Sequence, residues 1–285
     1  MEQKSVLIGM SGGVDSSVAA ALLKEQGYHV IGATMRLWTY SDSCNMKHGG
    51  CCAESAVEDA RRVCDKLGID FYVMNFKDMF KDKVVDYFVD EYIHGRTPNP
   101  CIACNKYLKF DALLKKALAM GIDYVATGHY AKIEKGEDGK YILRASEAVK
   151  KDQSYVLYNF TQEQLAHTLM PLGGYNKDWV RQKAEELGLG VAHKPDSQEI
   201  CFVEDDDYAK FITDYSGYEP KEGDILDVNG NVIGKHRGLI YYTIGQRKGI
   251  GAYGRPMFVM KIDAENNTIT LGEKGMEFSL SLIHI

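Results

Sequence analysis

No apolar run in this chain approaches the roughly 18 residues that a membrane-crossing helix needs, so the sequence offers no helical span. It has no cationic excess either. Lys and Arg number 34 against 40 Asp and Glu, for a net charge of −6. That balance argues against indiscriminate nucleic-acid binding but leaves room for a local basic groove. Met1-Glu2-Gln3-Lys4 runs straight into a functional-looking segment, which speaks against a cleaved signal peptide. Without a secretory signal, the seven cysteines read as cysteine chemistry in a reducing, cytoplasmic setting rather than as a disulfide framework. Internal repeats and low-complexity tracts are absent as well. What is present is enough chain for two domains, at 285 residues, and enough apolar content for a proper core, at 45%.

The most informative stretch is Ser11-Gly12-Gly13-Val14-Asp15-Ser16-Ser17. It follows a strand-like run, Val6–Met10, and opens a helical one, Ser17–Gln26. A strand that turns through glycines into a helix N-terminus makes an anion site, because the first helical N–H groups lack partners and the helix dipole favours negative charge there. Gly12 and Gly13 let the backbone approach a phosphate chain, and Ser11, Ser16 and Ser17 add hydroxyls. Asp15 is an odd neighbour for phosphates unless a cation such as Mg2+ lies between them. No Gly-Lys-Ser/Thr follows, so this is not a Walker A loop. It resembles the Ser-Gly-Gly-x-Asp-Ser loop of the ATP pyrophosphatase (PP-loop) superfamily, whose members cleave ATP between the α and β phosphates.

The first two-thirds of the chain alternate strand and helix. Strand-like runs at Val6–Met10, His29–Thr34, Phe71–Asn75 and Tyr124–Thr127 separate helical runs at Ser17–Gln26, Glu54–Leu67, Asp78–Ile93 and Lys106–Met120. Gly27, Gly68 and Gly121 stand at helix stops. This alternation predicts an α/β domain with a parallel sheet, and ligands of such sheets bind at the strands' carboxyl ends, where the loop lies. Gly136–Gly139 predicts a hairpin, Thr161–Gln164 a capping box, and about Asp178–Leu187 a further helix. From about Gly223 the pattern changes to short strands at Ile225–Val228, Val232–Ile233, Leu239–Thr243, Met257–Ile262 and Thr268–Leu271. The expected division is a catalytic ATP-binding domain over 1–212 and a small β-rich domain over 213–275.

Cysteines supply the second chemical signal. Cys101-Ile102-Ala103-Cys104 follows Thr97-Pro98-Asn99-Pro100 and leads into a helix. A cysteine at a helix N-terminus gains thiolate character, and Cys201, far off in Ser197–Phe202, is a candidate partner for disulfide exchange. A buried structural thiol, half a zinc site and chance are competing readings. Cys44, Cys51, Cys52 and Cys64 with His48 lack the paired spacing of a zinc knuckle, and Cys64 reads as a core residue. Gly249-Ile250-Gly251-Ala252-Tyr253-Gly254 matches the dinucleotide fingerprint in letters but not in setting, because no strand-turn-helix surrounds it.

Five motifs, in order, are similar to those of the bacterial tRNA-specific 2-thiouridylase (tRNA-uridine 2-sulfurtransferase) family. They are Gly9–Ser17, Gly95–Cys101 with Cys104-Asn105, Ala126–Tyr130, Lys151–Tyr155 and Asp196–Phe202, with Gly238-Leu239 and Gly245–Gly249 added in the β-rich segment. The set covers nearly all of residues 4–272. The resemblance implies that Gly9, Met10, Ser11, Gly12, Gly13, Val14, Asp15, Ser16, Met35 and Gly128 contact ATP. It implies Cys104 as nucleophile, with Asp15 beside it in the catalytic set, and Cys201 as carrier of a persulfide. Asn99, Pro100 and Cys101 would face the target base, and His129, Lys151, Asp152 and Gln153 would contact tRNA. The fold it implies is a PP-loop, adenine-nucleotide α-hydrolase-like domain followed by a small all-β domain. The resembled proteins continue into a further C-terminal β-barrel, so 276–285 reads as a truncated remnant or a foreign tail.

The chemistry suits the residues. A uracil C2 oxygen is a poor leaving group, and adenylation by ATP with Mg2+ turns it into AMP, after which a persulfide sulfur can attack C2. Residue Cys101 opens an alternative, in which Cys101, Cys104 and Cys201 hold an iron–sulfur cluster. Lys106, Lys109, Lys150-Lys151 and Arg247-Lys248 suit local RNA contact, and Tyr130 and Tyr155 are candidates to stack on a splayed uridine. By resemblance the partners are tRNAs of the Lys, Glu and Gln type and a cysteine desulfurase or sulfur-relay protein, with the enzyme a monomer and no membrane involved. Two other functions compete: a PP-loop enzyme adenylating a small carbonyl substrate, which needs no cysteine pair, and a metal-stabilised RNA-binding module, which leaves Asp15 unexplained.

Overall fold

The computed structural model describes residues 3–38, 54–196, 200–203 and 206–276. They fall into two compact units, residues 1–84 with 101–202 and residues 85–100 with 203–285. Among the described residues no helix is long and apolar enough to cross a membrane.

The first unit is built on a five-stranded sheet. Its strands are β1 (Ser5–Gly9), β2 (His29–Arg36), β3 (Asp70–Asn75), β4 (Tyr124–Ala126) and a two-residue β7 (Thr168–Leu169), in the order β3-β2-β1-β4-β7. Every pairing is parallel. Val6, Leu7 and Ile8 of β1 are fully buried, as a central strand covered on both faces requires. The helix α1 (Val14–Glu25) crosses from β1 to β2, and α2 (Glu54–Leu67) precedes β3. Residues Val18, Ala19, Ala20 and Leu23 of α1 pack with Val6, Ile8 and Val30 and, from a later helix, with Val180 and Ala184. Because β2 lies on one side of β1 and β4 on the other, strand order reverses at β1. In open α/β sheets the crevice beyond the strand ends at such a switch point receives the ligand.

The helical run expected at Asp78–Ile93 is broken into α3 (Lys77–Phe80), a π-helical turn at Lys81–Val85 and α4 (Asp86–Ile93). The run expected at Lys106–Met120 begins earlier, as α5 (Pro100–Cys104), widens to a π-helix over Asn105–Ala112 and ends as α6 (Leu113–Ala119). Proline at the first helical position sets that early start. The expected hairpin is β5 (Ala131–Lys135) with β6 (Tyr141–Ala145), antiparallel. Helix α7 (Gln162–Ala166) carries the capping box expected at Thr161. Next comes α8 (Lys177–Glu186), capped by the Asn176 side chain.

The second unit contains α4, α9 (Tyr208–Ser216) and a four-stranded sheet of β8 (Gly223–Leu226), β9 (Val232–His236), β10 (Met257–Asp263) and β11 (Thr268–Glu273), in the order β10-β11-β8-β9. Leu239–Tyr241, expected as strand, is a 3-10 turn, with Leu239 and Ile240 buried. The sheet's core is Ile225, Val259, Ile269 and Leu271 with Leu239 and Tyr242. The Tyr92 ring of α4 stacks on Tyr208 of α9 at 4.8 Å, and the Tyr215 hydroxyl donates to Asp86 at 2.5 Å. The Gly249–Gly254 run leads into Pro256 and β10, not into a helix. Its residues Ile250–Gly254, with Arg247 and Arg255, line a cavity of about 330 Å³.

Candidate active site

Beyond the carboxyl end of β1 the chain turns through Ser11-Gly12-Gly13 into α1. Gly12 has φ +69, and a Cβ there would lie 2.3 Å from the Ala56 carbonyl oxygen of α2. Only glycine fits that conformation and that approach. Gly13 is the extended N-cap of α1, with no side-chain capping hydrogen bond. The serines brace the turn. The Ser17 hydroxyl donates to the Gly13 carbonyl at 2.7 Å, and Ser16 Oγ accepts from the Ser11 N–H at 3.2 Å. The Met10 carbonyl accepts from Thr34 Oγ1 at 2.8 Å, and Lys194 Nζ donates to the Gly12 carbonyl at 3.0 Å while pairing with Asp59 at 2.9 Å.

Gly128, just after β4, closes on this turn. A Cβ there would stand 2.6 Å from the Ser16 nitrogen. Between the two segments lies a cavity of about 220 Å³. Of the residues expected to contact ATP, Gly9, Met10, Ser11, Asp15, Ser16, Met35 and Gly128 line it. Gly12 and Gly13 shape the turn instead, and Val14 is packed in the core. His129 and Gln153, expected to contact tRNA, also line this cavity. Lys109, expected to suit RNA contact, and Thr127, from the Ala126–Tyr130 motif, also line it, and Ala33, Leu37 and Leu113, which were not foreseen, complete the wall. Met35, Leu37, Ala33 and Leu113 give it an apolar side suited to a flat base. Ser11, Ser16 and Lys109 give it a polar side suited to phosphates. Both Lys109 and Leu113 belong to the helical run that begins at Pro100 and includes Cys104.

The electrostatics differ sharply across the cavity. Lys177 Nζ binds Asp15 Oδ1 at 2.7 Å and Oδ2 at 2.8 Å, and the Tyr130 hydroxyl donates to Oδ1 at 2.7 Å. Burial, followed by the adjacent Asp15 charge, pushes the Tyr130 phenol far up, so it stays a donor. The charge that the sequence reading gave to a divalent cation beside Asp15 comes here from a lysine. Tyr130 is 2% exposed and so is no stacking platform, whereas Tyr155 is 61% exposed. Elsewhere in the lining, burial holds the His129 imidazole well below its ordinary value and the Lys109 ammonium adds to the effect. Its Nδ1 shares a 2.7 Å hydrogen bond with Thr127 Oγ1.

The remaining expected residues are distributed as follows. Helix α5 starts at Pro100, so the exposed Cys101 sits in its first turn. Cys104 lies at the far end of α5 and is 8% exposed, so it does not sit at a helix N-terminus. Asn99 is exposed and Pro100 buried. Cys201 is half-buried in a turn, and the adjacent Phe202 ring packs edge-on against Phe80 at 5.6 Å. Lys151 pairs with Asp196 at 2.9 Å. Asp152 accepts from the Ser146 N–H at 2.7 Å and the Ser154 hydroxyl at 2.6 Å, and Gln153 Oε1 accepts from the Tyr130 N–H at 3.0 Å.

Cys64 is fully buried, and burial, with Asp65 beside it, raises its thiol to about 12. That environment suits an inert core thiol. Cys44, His48, Cys51 and Cys52 lie outside the described residues. Among the described residues no three His, Cys, Asp or Glu side chains gather as a metal-ligand set, Cys101, Cys104 and Cys201 included. The described geometry therefore does not fit an iron–sulfur cluster on these three cysteines, and both Asp15 oxygens accept from Lys177.

Two family profiles match the chain in tandem, the tRNA methyl transferase HUP domain over residues 4–205 and the tRNA methyl transferase PRC-barrel domain over residues 209–273. A tRNA-specific 2-thiouridylase MnmA of Clostridioides difficile is 61% identical over 282 residues, 98% of this chain and 78% of that protein. The protein of the same name from Acetivibrio thermocellus is 60% identical over 99% of this chain and 79% of its own length. Another, from Clostridium botulinum strain Alaska E43, is 59% identical over 99% and 78%.

Proposed function

The chain belongs to the tRNA-specific 2-thiouridylase family, and on that premise we propose that it replaces the C2 oxygen of the wobble uridine of tRNA with sulfur at the expense of ATP. One observation carries the reading. The Ser11–Ser16 turn and the helical run that contains Cys104 border the same cavity, the latter through Lys109 and Leu113. This supports a reading in which the helix that carries Cys104 also borders the site of adenylation.

The adenine base lies against Met35, Leu37 and Leu113, and the triphosphate runs along Ser11 and Ser16 toward Lys109. The uridine C2 oxygen attacks the α-phosphorus, pyrophosphate leaves, and Lys109 offsets the charge that develops on it. A Mg2+ ion bound with the nucleotide would neutralise part of the phosphate charge. The terminal sulfur of a Cys201 persulfide then attacks C2, and AMP departs with the former carbonyl oxygen. The Cys104 thiolate next attacks the Cys201 sulfur of the resulting disulfide link. That step releases 2-thiouridine, leaves a Cys104–Cys201 disulfide, and requires an external thiol reductant before the next turnover. Asn99–Cys101 face the target base, and His129 and Lys151–Gln153 act at the boundary between nucleotide and tRNA. The substrates are tRNAs of the Lys, Glu and Gln type, the sulfur comes from a cysteine desulfurase or a relay protein, and the enzyme works as a cytoplasmic monomer.

A single-turnover assay with ATP, Mg2+, a persulfide donor and unmodified tRNA tests the reading by mass spectrometry of the nucleosides. ATP-dependent 2-thiouridine, abolished by Cys104→Ser and by Cys201→Ser with the fold retained, is the expected result. Full thiolation by either variant would overturn the cysteine assignment. AMP formation that needs no tRNA and no cysteine would point to a small carbonyl substrate instead.

A further inference from the structure

One ammonium ion touches two of the motifs. Lys177 Nζ, on a side chain 13% exposed, lies 2.7 and 2.8 Å from the two Asp15 oxygens and 2.7 Å from Asp196 Oδ1. Asp15 is in the first turn of α1, directly after the glycine turn. Asp196 is five residues before Cys201 in the chain. It also binds Lys151 at 2.9 Å and Arg181 at 3.2 Å. Burial works against the charge on Asp196, but the hydrogen bonds from Lys177 and Lys151 outweigh it and keep the carboxyl below its ordinary range. On the other side of Cys201, Phe202 is 1% exposed and its ring sits against Phe80 and Trp38. In the chain, Cys201 thus follows an ionic anchor by five residues and precedes an apolar anchor by one, and the ionic anchor is shared with the glycine turn.

We propose that Lys177 is a positioning residue that ties the Asp15 turn to the segment carrying Cys201, so that nucleotide in the cavity changes the environment of the Cys201 thiol. The proposal rests on the nucleotide site proposed above. Two carboxylates on one ammonium make the link mutual. A nucleotide that changes how Asp15 is held changes how firmly Lys177 holds Asp196, because a shared cation divides its field between its partners. The substrate chemistry gives such a link a use. A persulfide is consumed wastefully if it reacts before the uridine oxygen is activated, and activation begins with ATP. Lys177 has no contact with reacting atoms in this scheme and acts only through Asp15 and Asp196.

The test is the alkylation rate of Cys201 by iodoacetamide, followed by mass spectrometry of its tryptic peptide, in the full chain with and without α,β-methylene-ATP. Filter binding confirms occupancy separately. In the wild type the analogue should change the Cys201 rate at least threefold. In Lys177→Met the response should fall below 1.5-fold even at saturating analogue, and Lys177→Arg should restore at least half of it. Asp196→Asn keeps Lys177 on Asp15 but loosens the other contact, so it should lose the response while its affinity for the analogue changes less than threefold. That variant also carries the test if Lys177→Met does not fold. A wild-type rate indifferent to bound analogue, or a response that survives in Asp196→Asn, overturns the role of Lys177. An analogue that fails to bind the wild type overturns the nucleotide site itself, which is a different outcome.

Discussion

Two glycine-rich loops each border a cavity, Gly9–Ser16 in the first unit and Gly249–Gly254 in the second. In letters the second is closer to a familiar nucleotide fingerprint. In structure the first has what a phosphate needs: a parallel strand behind it, a helix N-terminus ahead with an uncapped end, and a strand-order reversal that opens a crevice. The second leads through Pro256 into an antiparallel strand. Its arginines are directed elsewhere in part, since Arg255 pairs with Glu273 on an exposed surface. Glycine spacing alone is thus a weak guide, and the element that follows the glycines decides whether their N–H groups converge on an anion.

The largest effect should come from filling the first loop. Gly12→Ala forces a Cβ into the Ala56 carbonyl at a positive φ. The left-handed conformation alone costs about 1–2 kcal/mol, and the turn must also move. A displacement of about 1 Å at a reacting centre costs on the order of a hundredfold in rate. ATP-dependent thiolation should therefore fall about a hundredfold, with the urea midpoint lowered. Gly128→Ala, whose Cβ would meet the Ser16 nitrogen, should raise KM for ATP about tenfold by pushing the opposite wall off α1. Steady-state kinetics at varied ATP checks both. Wild-type KM in either variant would remove the cavity from consideration as the nucleotide site.

A smaller effect separates the two sides of that cavity. His129 is held neutral by burial, with Lys109 adding to it, so its folded value lies below the ordinary value near 6.5. The unfolded chain then binds the extra proton first as pH falls. The stability from neutral His129 is fully present above pH 6.5 and is lost below it, at a slope of up to about 1.4 kcal/mol per pH unit. Urea melts at pH 7.5 and 5.5 should show lower stability at the lower pH, and His129→Gln should remove part of that difference.

Much of this was legible in the sequence, for identifiable reasons. Parallel strands read as short apolar runs, most strongly in the buried central β1, and glycines at helix stops mark the βα units, so β1 to β4 lie within a residue or two of where the pattern puts them. Strand β7, two residues long, is too short to carry any period, and Leu239–Tyr241 is apolar because it plugs the core, not because it pairs. The loop residues of the site were readable because their chemistry is local. Lys177, Arg181 and Lys194 were not. Lys177 lies 162 residues from Asp15 and Lys194 lies 182 from Gly12, and on its helix Lys177 looks like any solvated lysine. Cys104 shows a subtler difference: the helix expected from Lys106 begins six residues earlier, at Pro100, so Cys104 lies at the end of its first segment and not ahead of its start.

The least effect should come from the second loop. Arg255 borders the second cavity, and its ion pair with Glu273 has both side chains more than half exposed. Exposed pairs of this kind contribute between zero and about 1 kcal/mol, because water screens the attraction and two long side chains lose freedom in forming it. Arg255→Ala should therefore lower stability by no more than about 0.5 kcal/mol and leave KM for ATP within twofold of wild type. A tenfold rise in KM for ATP would break the comparison, because it would mean that glycine-rich backbone without a following helix takes part in holding the nucleotide. An unchanged KM beside the losses in Gly12→Ala and Gly128→Ala would place the nucleotide at the strand-to-helix turn, where backbone geometry rather than glycine count makes the site.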